Sequence, residues 1–139
     1  MAHTFYRIVA AVMLLTLTGC SSNEDQLKTF VNKMNCTVYP KQLGDAVWID
    51  SLSVMPGITV GTYYSFTNMS KNDFTPEMLE AMRQDLRLEV LKSVISDDKE
   101  ATRFRNAGVT FYFDCRDWEG NTIFDITVTP EEYKQAMKR

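Results

Sequence analysis

Apolar positions recur along this chain with two different periods, and the period distinguishes predicted helices from predicted strands. The helical period of about 3.6 residues first occurs between Glu24 and Asn35. It returns after Thr75-Pro76, where the threonine can cap a helix and the proline fits its first turn. Shorter helices are predicted over 98–106 and from Thr129-Pro130 onward. The apolar face of the long helix is predicted to comprise Met78, Leu79, Met82, Leu86, Val90 and Val94.

The alternating period of strands occurs in four segments, which pair naturally as two hairpins. The first hairpin is predicted from Ala46–Met55 and Ile58–Phe66, with a Pro-Gly turn between them. The second is predicted from Val109–Cys115 and Thr122–Thr129. One face of each strand is apolar. The opposite face is expected to carry Tyr63, Tyr112, Asp114, Ile123, Asp125 and Thr127.

These elements predict an α+β fold with the order α-ββ-α-ββ-α. The expected architecture is a four-stranded antiparallel sheet, built from the two hairpins, with the long helix packed on one face. The length of 139 residues suits one domain with one hydrophobic core, which we place at residues 26–139.

The N-terminal apolar run has the length of an export signal. It extends from Ile8 to Leu17, about half of what a membrane-spanning helix needs. It ends in Leu17-Thr18-Gly19-Cys20, an aliphatic residue and two small residues before a cysteine. This motif resembles the lipobox of bacterial lipoproteins. The resemblance covers residues 1–20 and implies cleavage before Cys20, whose thiol would carry a diacylglycerol.

The lipobox resemblance implies a location as well as a modification. Residues 1–19 would be the signal peptide, and residues 20–25 the lipidated cysteine and a short tether. Acyl chains such as palmitate would hold the protein in the cell envelope. In enterobacterial lipoproteins an aspartate after the cysteine tends to retain the protein at the inner membrane. Ser21 stands there instead, which favours the outer membrane, on its periplasmic or surface side.

Charge and histidine content exclude several classes of function. The chain has a net charge of −3 and no basic cluster, so nucleic acid is not a predicted partner. The single histidine, His3, lies in the predicted signal peptide. The mature chain would therefore have no histidine for nucleophilic catalysis or zinc binding. We predict no catalytic residue, no metal ligand and no cofactor.

Two cysteines remain once Cys20 carries lipid. In an oxidising compartment Cys36 and Cys115 are predicted to form a disulfide, which would join the first helix to the second hairpin. The alternative is two separate buried thiols.

Acidic and aromatic residues supply the candidate sites. The carboxylates of Asp114, Asp117, Glu119 and Asp125 surround one hairpin. They can be interpreted as a calcium site, as a carboxylate pair for glycan hydrolysis, or as a solvated hairpin tip. Rings with polar surroundings suit contact with a protein or a glycan. The binding candidates are Tyr63, Tyr112 and Trp118.

Two functions are compatible with these patterns. The first is a non-catalytic, membrane-anchored lipoprotein that binds a protein or glycan of the cell envelope. The alternative is a small carboxylate-dependent glycan hydrolase, which requires two acids facing each other across a cleft. The small α+β domain with a lipid anchor is broadly similar in architecture to pilotin-type lipoproteins, which chaperone secretin subunits. No residue motif carries that similarity.

Lipidation of Cys20 can be tested by substitution. Cys20→Ser should yield an uncleaved precursor or a soluble protein, because the thiol that accepts the diacylglycerol is absent. Fractionation followed by a carbonate wash measures the outcome. Retention in washed membranes of a variant that is cleaved to the mature size would show that the lipobox interpretation is wrong, because an uncleaved precursor keeps its own apolar segment.

Overall fold

A computed structural model describes residues 22–139, so the predicted signal peptide and Cys20 lie outside the described part. The helices are α1 (Asn23–Thr37), α2 (Pro76–Val94), α3 (Lys99–Ala107) and α4 (Pro130–Ala136), with a short 3-10 turn at Lys71–Asp73. The strands are β1 (Lys41–Gln42), β2 (Val47–Met55), β3 (Thr59–Phe66), β4 (Thr110–Arg116) and β5 (Thr122–Val128). Within residues 22–139 no helix combines the length and hydrophobicity needed to cross a membrane.

The sheet has five strands in the order β1-β2-β3-β4-β5, and it is mixed. Both predicted hairpins are present, because β2 pairs antiparallel with β3 and β4 pairs antiparallel with β5. The two hairpins join through a parallel pairing of β3 with β4. The α+β class is confirmed, whereas the prediction of a four-stranded, fully antiparallel sheet is wrong.

The parallel pairing follows from the long connection between the hairpins. The chain leaves β3, passes through α2 and α3, and re-enters the sheet beside β3 in the same direction. Parallel neighbours require a crossover of this kind, usually helical. The additional strand, β1, pairs with β2 over only two residues, too few for an alternating pattern to reveal.

The helices cover one face of the sheet. Helix α1 lies against β2, and α2 lies against β5. Helix α3 joins this layer through Phe104, whose ring packs edge-on against Phe30 at 5.8 Å and Phe111 at 5.5 Å between centroids. Tyr133 of α4 is fully buried and donates a hydrogen bond to the carbonyl of Val109 (3.2 Å). The core therefore lies between the sheet and a single helical layer.

The predicted helix starts are confirmed by their caps. The Thr75 side chain accepts from the amide of Met78, and Thr129 with Glu132 forms a capping box. Helix α3 starts at the cap Asp98 and ends at Gly108, whose φ of 67° lies in the left-handed region that glycine adopts without strain.

Two predicted side-chain placements are wrong. Ile123 was expected on the outer face but is buried (4% exposed), because the pairing of β4 with β5 shifts register beside it. Met78, expected on the covered face of the long helix, is 42% exposed. Burial on α2 is concentrated near its C-terminal end, at Val90, Ser93 and Val94.

Asn35 fastens α1 to an irregular part of β2. A register shift between Ile49 and Ser51 interrupts the β2 ladder, and β1 pairs only with Trp48 and Ile49. Beyond that point the Asn35 amide takes the role of a neighbouring strand. Its Oδ1 accepts from the Leu52 amide and its Nδ2 donates to the Leu52 carbonyl, both at 2.8 Å.

Substitution of Asn35 should loosen this attachment. Asn35→Ala leaves two partly buried backbone groups of Leu52 unpaired, and we expect it to lower the free energy of unfolding by about 1–3 kcal/mol. Urea denaturation monitored by circular dichroism measures the change. Asn32 lies on the exposed side of the same helix and serves as the control. Asn32→Ala should change stability by less than about 0.5 kcal/mol, and equal effects of the two substitutions would contradict the proposed role.

Candidate functional site

Two surfaces are candidates for function: the uncovered face of the sheet and a groove beside α2. The register of the strands shows which side chains lie on the uncovered face, which we call the open face. Tyr63, Asp114 and Asp125 stand side by side across β3, β4 and β5, and Tyr112 is in the next row, between Gly61 and Thr127. The predicted grouping of Tyr63, Tyr112, Asp114 and Asp125 on one face is therefore confirmed. Thr127, also predicted there, lies beside Tyr112, whereas Ile123 is buried in the core.

An ion pair and an aromatic ring form the centre of the open face. Arg116 Nη2 lies 2.8 Å from Oδ2 of Asp114, and Nε donates to the same oxygen at 2.9 Å. The guanidinium carbon lies 5.1 Å from the centroid of the Tyr63 ring, a cation–π contact. Thr122 donates to the other oxygen of Asp114 (2.9 Å). Asp114 is 4% exposed, so its charge is buried and compensated by these partners.

The two tyrosine hydroxyls are held by neighbours on the face. The hydroxyl of Tyr63 is hydrogen-bonded to Oγ of Ser53 (3.0 Å), across Gly61. A Cβ atom at Gly61 would lie 2.7 Å from that Oγ, so glycine is required for this close approach. The hydroxyl of Tyr112 donates to Asp125 Oδ2 (3.2 Å). Burial, followed by the nearby charge of Asp114, raises the pKa of Tyr112 to about 12, so the hydroxyl stays protonated.

Trp118 lies apart from this network. It is in the turn between β4 and β5 and is 62% exposed, and its amide donates to the carbonyl of Met69 (3.4 Å). The ring therefore lies outside the core. Its role in binding, like that of Tyr63 and Tyr112, stays a prediction.

Asp117 organises the turn that carries Trp118. Its carboxylate accepts from the backbone amides of Lys71 (3.0 Å), Glu119 (3.0 Å) and Asn121 (2.8 Å). It thereby ties the β4–β5 turn to the segment that precedes α2. Burial alone would raise the pKa of Asp117, but these hydrogen bonds to the charged form outweigh burial and lower the pKa below the usual value of an aspartate.

Three of the four acids around this hairpin are engaged by neighbouring groups. Asp114 is neutralised by Arg116, Asp117 is engaged by backbone amides, and Asp125 holds Tyr112. Asp114 and Asp125 are neighbours on a sheet rather than opposed across a cleft. Among residues 22–139 no group of histidine, cysteine, aspartate or glutamate side chains is arranged to bind a metal ion. The geometry therefore gives no support to glycan hydrolysis or to calcium binding.

The predicted disulfide is absent from the structure. Both thiols are unbonded: Cys36 is exposed on α1, and Cys115 is buried in the core. Helix α1 buries Leu27, Val31 and Met34, and Cys36 lies outside that buried stripe. Burial, followed by the charges of Asp114 and Asp125, raises the pKa of Cys115 to about 12. The thiolate needed for disulfide exchange is therefore strongly disfavoured at this position.

The second candidate surface is a groove that the sequence patterns did not reveal. It has a volume of about 660 Å³ and lies between α2 and the end of the sheet where β3 and β4 finish. Phe66, Val47 and Phe124 form much of its floor, and Met82 and Leu86 line the α2 side. Leu88, also in the lining, is 55% exposed. The sequence signal for the groove is the apolar residue Leu88, which lies outside the predicted apolar face of the long helix.

The rim of the groove carries charge. Asp85, Glu89 and Lys92 of α2 border it, and Lys92 is paired with Glu89 (3.2 Å). Asp85 makes no ion pair within residues 22–139. The groove therefore combines an apolar floor with an acidic rim.

Comparison with known proteins identifies the architecture. No protein-family model matches the chain, and no curated protein matches it in sequence. A solved structure of a secreted protein from Pseudomonas aeruginosa has a TM-score of 0.55 at 12% identity, over 83% of this chain and 99% of that one. EpsS, the type 2 secretion system pilotin of Vibrio vulnificus, has a TM-score of 0.52 at 16% identity, over 80% of this chain and 94% of its own. At these identities the similarity establishes a pilotin-like fold.

The role of Asp117 can be tested by its pH dependence. In Asp117→Asn an amide replaces a carboxylate that accepts three backbone hydrogen bonds, so we expect a melting temperature several degrees lower at pH 7. The lowered pKa means that the carboxylate stabilises the fold above the unfolded value of about 3.9. This contribution is lost as the pH falls through the folded pKa. The difference between wild type and variant should therefore shrink below pH 4, as measured by scanning calorimetry.

Glu119 in the same turn is the control, because it is an exposed acid. Glu119→Gln should leave the melting temperature nearly unchanged at every pH. A constant difference between wild type and Asp117→Asn from pH 7 to pH 2 would contradict a stabilising role of the charge.

Proposed function

We propose that this protein is a lipid-anchored lipoprotein of the cell envelope that acts without catalysis, by holding a segment of a partner protein in the groove beside α2. The groove is the observation that carries the proposal, because apolar side chains line it and one of them, Leu88, is 55% exposed. Exposed apolar surface of this kind favours binding of another protein. The lipobox-like motif at Cys20 supports the anchor.

The shape and charge of the groove suit an amphipathic helix with basic residues on its polar side. Apolar side chains of such a helix would cover Phe66, Leu86 and Leu88, and a basic residue beside them would face Asp85. Helix-in-groove recognition uses this combination of apolar anchors and a polar rim. The pairing of Glu89 with Lys92 leaves Asp85 as the rim charge that a partner can neutralise.

The pilotin-like fold supports one class of partner. EpsS is a pilotin of a type 2 secretion system, and pilotin-type lipoproteins chaperone secretin subunits. We therefore propose a secretin subunit as the partner. Ser21 after the predicted lipid-bearing cysteine supports an outer-membrane location.

Substitution in the groove tests this function. Leu88→Asp introduces a carboxylate onto apolar surface, where a docked helix would remove it from water, so we expect at least a tenfold loss of partner binding. The measurement is co-purification of the full-length lipoprotein with the secretin encoded by the same genome, from outer membranes. Secretin multimers in that fraction should decrease in parallel.

Met137 provides the matched control, since it is 53% exposed and lies just after α4. Met137→Asp should leave co-purification and secretin multimers at wild-type levels. Normal binding by Leu88→Asp would exclude the groove as the docking site. Normal secretin assembly in cells that lack the lipoprotein would exclude the pilotin-like role.

A further inference from the structure

The open face contains two tyrosine–aspartate pairs. Tyr63 and Asp114 are directly opposite each other across β3 and β4. Tyr112 and Asp125 are diagonal neighbours on β4 and β5, because Tyr112 is opposite Thr127 and Asp125 is opposite Asp114. Each pair places a ring beside a carboxylate on the uncovered side of the sheet. The second pair is fixed by the hydrogen bond from the Tyr112 hydroxyl to Asp125 (3.2 Å).

The first pair shows what such an arrangement binds. Its partner is Arg116, which lies 5.1 Å from the Tyr63 centroid and 2.8 Å from an Asp114 oxygen. A guanidinium suits both contacts, because it is planar enough to lie against a ring and donates hydrogen bonds to a carboxylate. Tyr63 and Asp114 therefore form a cation site that the chain fills itself.

The second pair has no such cation. Within residues 22–139 no lysine or arginine lies within salt-bridge distance of Asp125, and no cation lies over the Tyr112 ring. Asp125 is exposed and Tyr112 is half-buried, so both can be reached from solvent. Nothing in the helical layer covers them, because the helices pack on the other side of the sheet.

The charge of the open face indicates the class of partner. Asp114 and Arg116 cancel, which leaves Asp125 as uncompensated negative charge beside a ring. Asp50 adds a further carboxylate on the same side, where Ser65 donates to it (2.9 Å). Complementary charge steers and orients protein partners. A neutral glycan can donate hydrogen bonds to these carboxylates but gains no charge–charge attraction, whereas a basic segment gains both.

We propose that the open face binds a basic segment of a second protein, and that Tyr112 and Asp125 receive an arginine side chain of that segment. The contact would use the same two interactions that Arg116 makes with Tyr63 and Asp114, a cation against a ring and an ion pair with a carboxylate. It occupies the side of the sheet opposite the groove and does not depend on the groove being filled. The lipoprotein would thus contact proteins on both of its faces.

Nuclear magnetic resonance of tyrosine rings tests this contact. The full chain, purified in detergent micelles with ¹³C-labelled tyrosine rings, is titrated with the peptide acetyl-Gly-Arg-Gly-Arg-Gly-amide. The Tyr112 ring signals should shift in a saturable manner, while those of Tyr133 in the core stay fixed. Asp125→Asn removes the charge, and we expect it to weaken the apparent affinity about three- to tenfold.

Two controls make the result specific. Asp50→Asn also removes one exposed carboxylate of the open face and should retain most of the affinity. A peptide with citrulline in place of arginine keeps the shape and loses the charge, so it should cause no saturable shift. Unchanged Tyr63 signals in Asp125→Asn would show that the face itself is intact.

Several outcomes would overturn the proposal. They are the absence of a Tyr112 shift with the arginine peptide, an equal affinity in Asp125→Asn, and an equal response to the citrulline peptide. A shift with chitohexaose but not with the arginine peptide would identify a glycan surface instead.

Discussion

The parallel pairing of β3 with β4 is the constraint on which the rest of the structure depends. Two parallel neighbours cannot be joined by a tight turn, so the chain must cross over through α2 and α3. These helices pack with α1 and α4 on one face of the sheet. The same pairing brings the C-terminal ends of β3 and β4 to the same end of the sheet. There, Asp117 connects the β4–β5 turn to the segment before α2 through a hydrogen bond from the amide of Lys71.

One helical layer leaves the opposite face of the sheet to be stabilised by its own side chains. Asp114 is buried there, yet it receives hydrogen bonds from Arg116 and Thr122, so its charge is compensated. Gly61 allows the Tyr63 hydroxyl to reach Ser53 across the strand. The side chains of the face are therefore held by one another without a covering element.

The two candidate surfaces differ in their physical character. The groove exposes apolar side chains, and its occupant gains chiefly by removing them from water. The open face presents rings and charge, and contacts there give orientation and selectivity more than affinity. An anchored protein that holds one partner in the groove and meets another through the open face would act as an adaptor.

The local patterns of the sequence determined the helix starts, both hairpins and the face occupied by Tyr63, Tyr112, Asp114 and Asp125, because caps, turns and alternation act over a few residues. Tertiary structure decided the parallel joint between the hairpins, the short strand β1, the burial of Ile123 and the unbonded state of Cys36 and Cys115. It also created the groove and brought Arg116 onto Tyr63. These features depend on contacts between residues distant along the chain or on register shifts in the sheet. The local alternation of apolar and polar residues contains no information about such contacts or shifts.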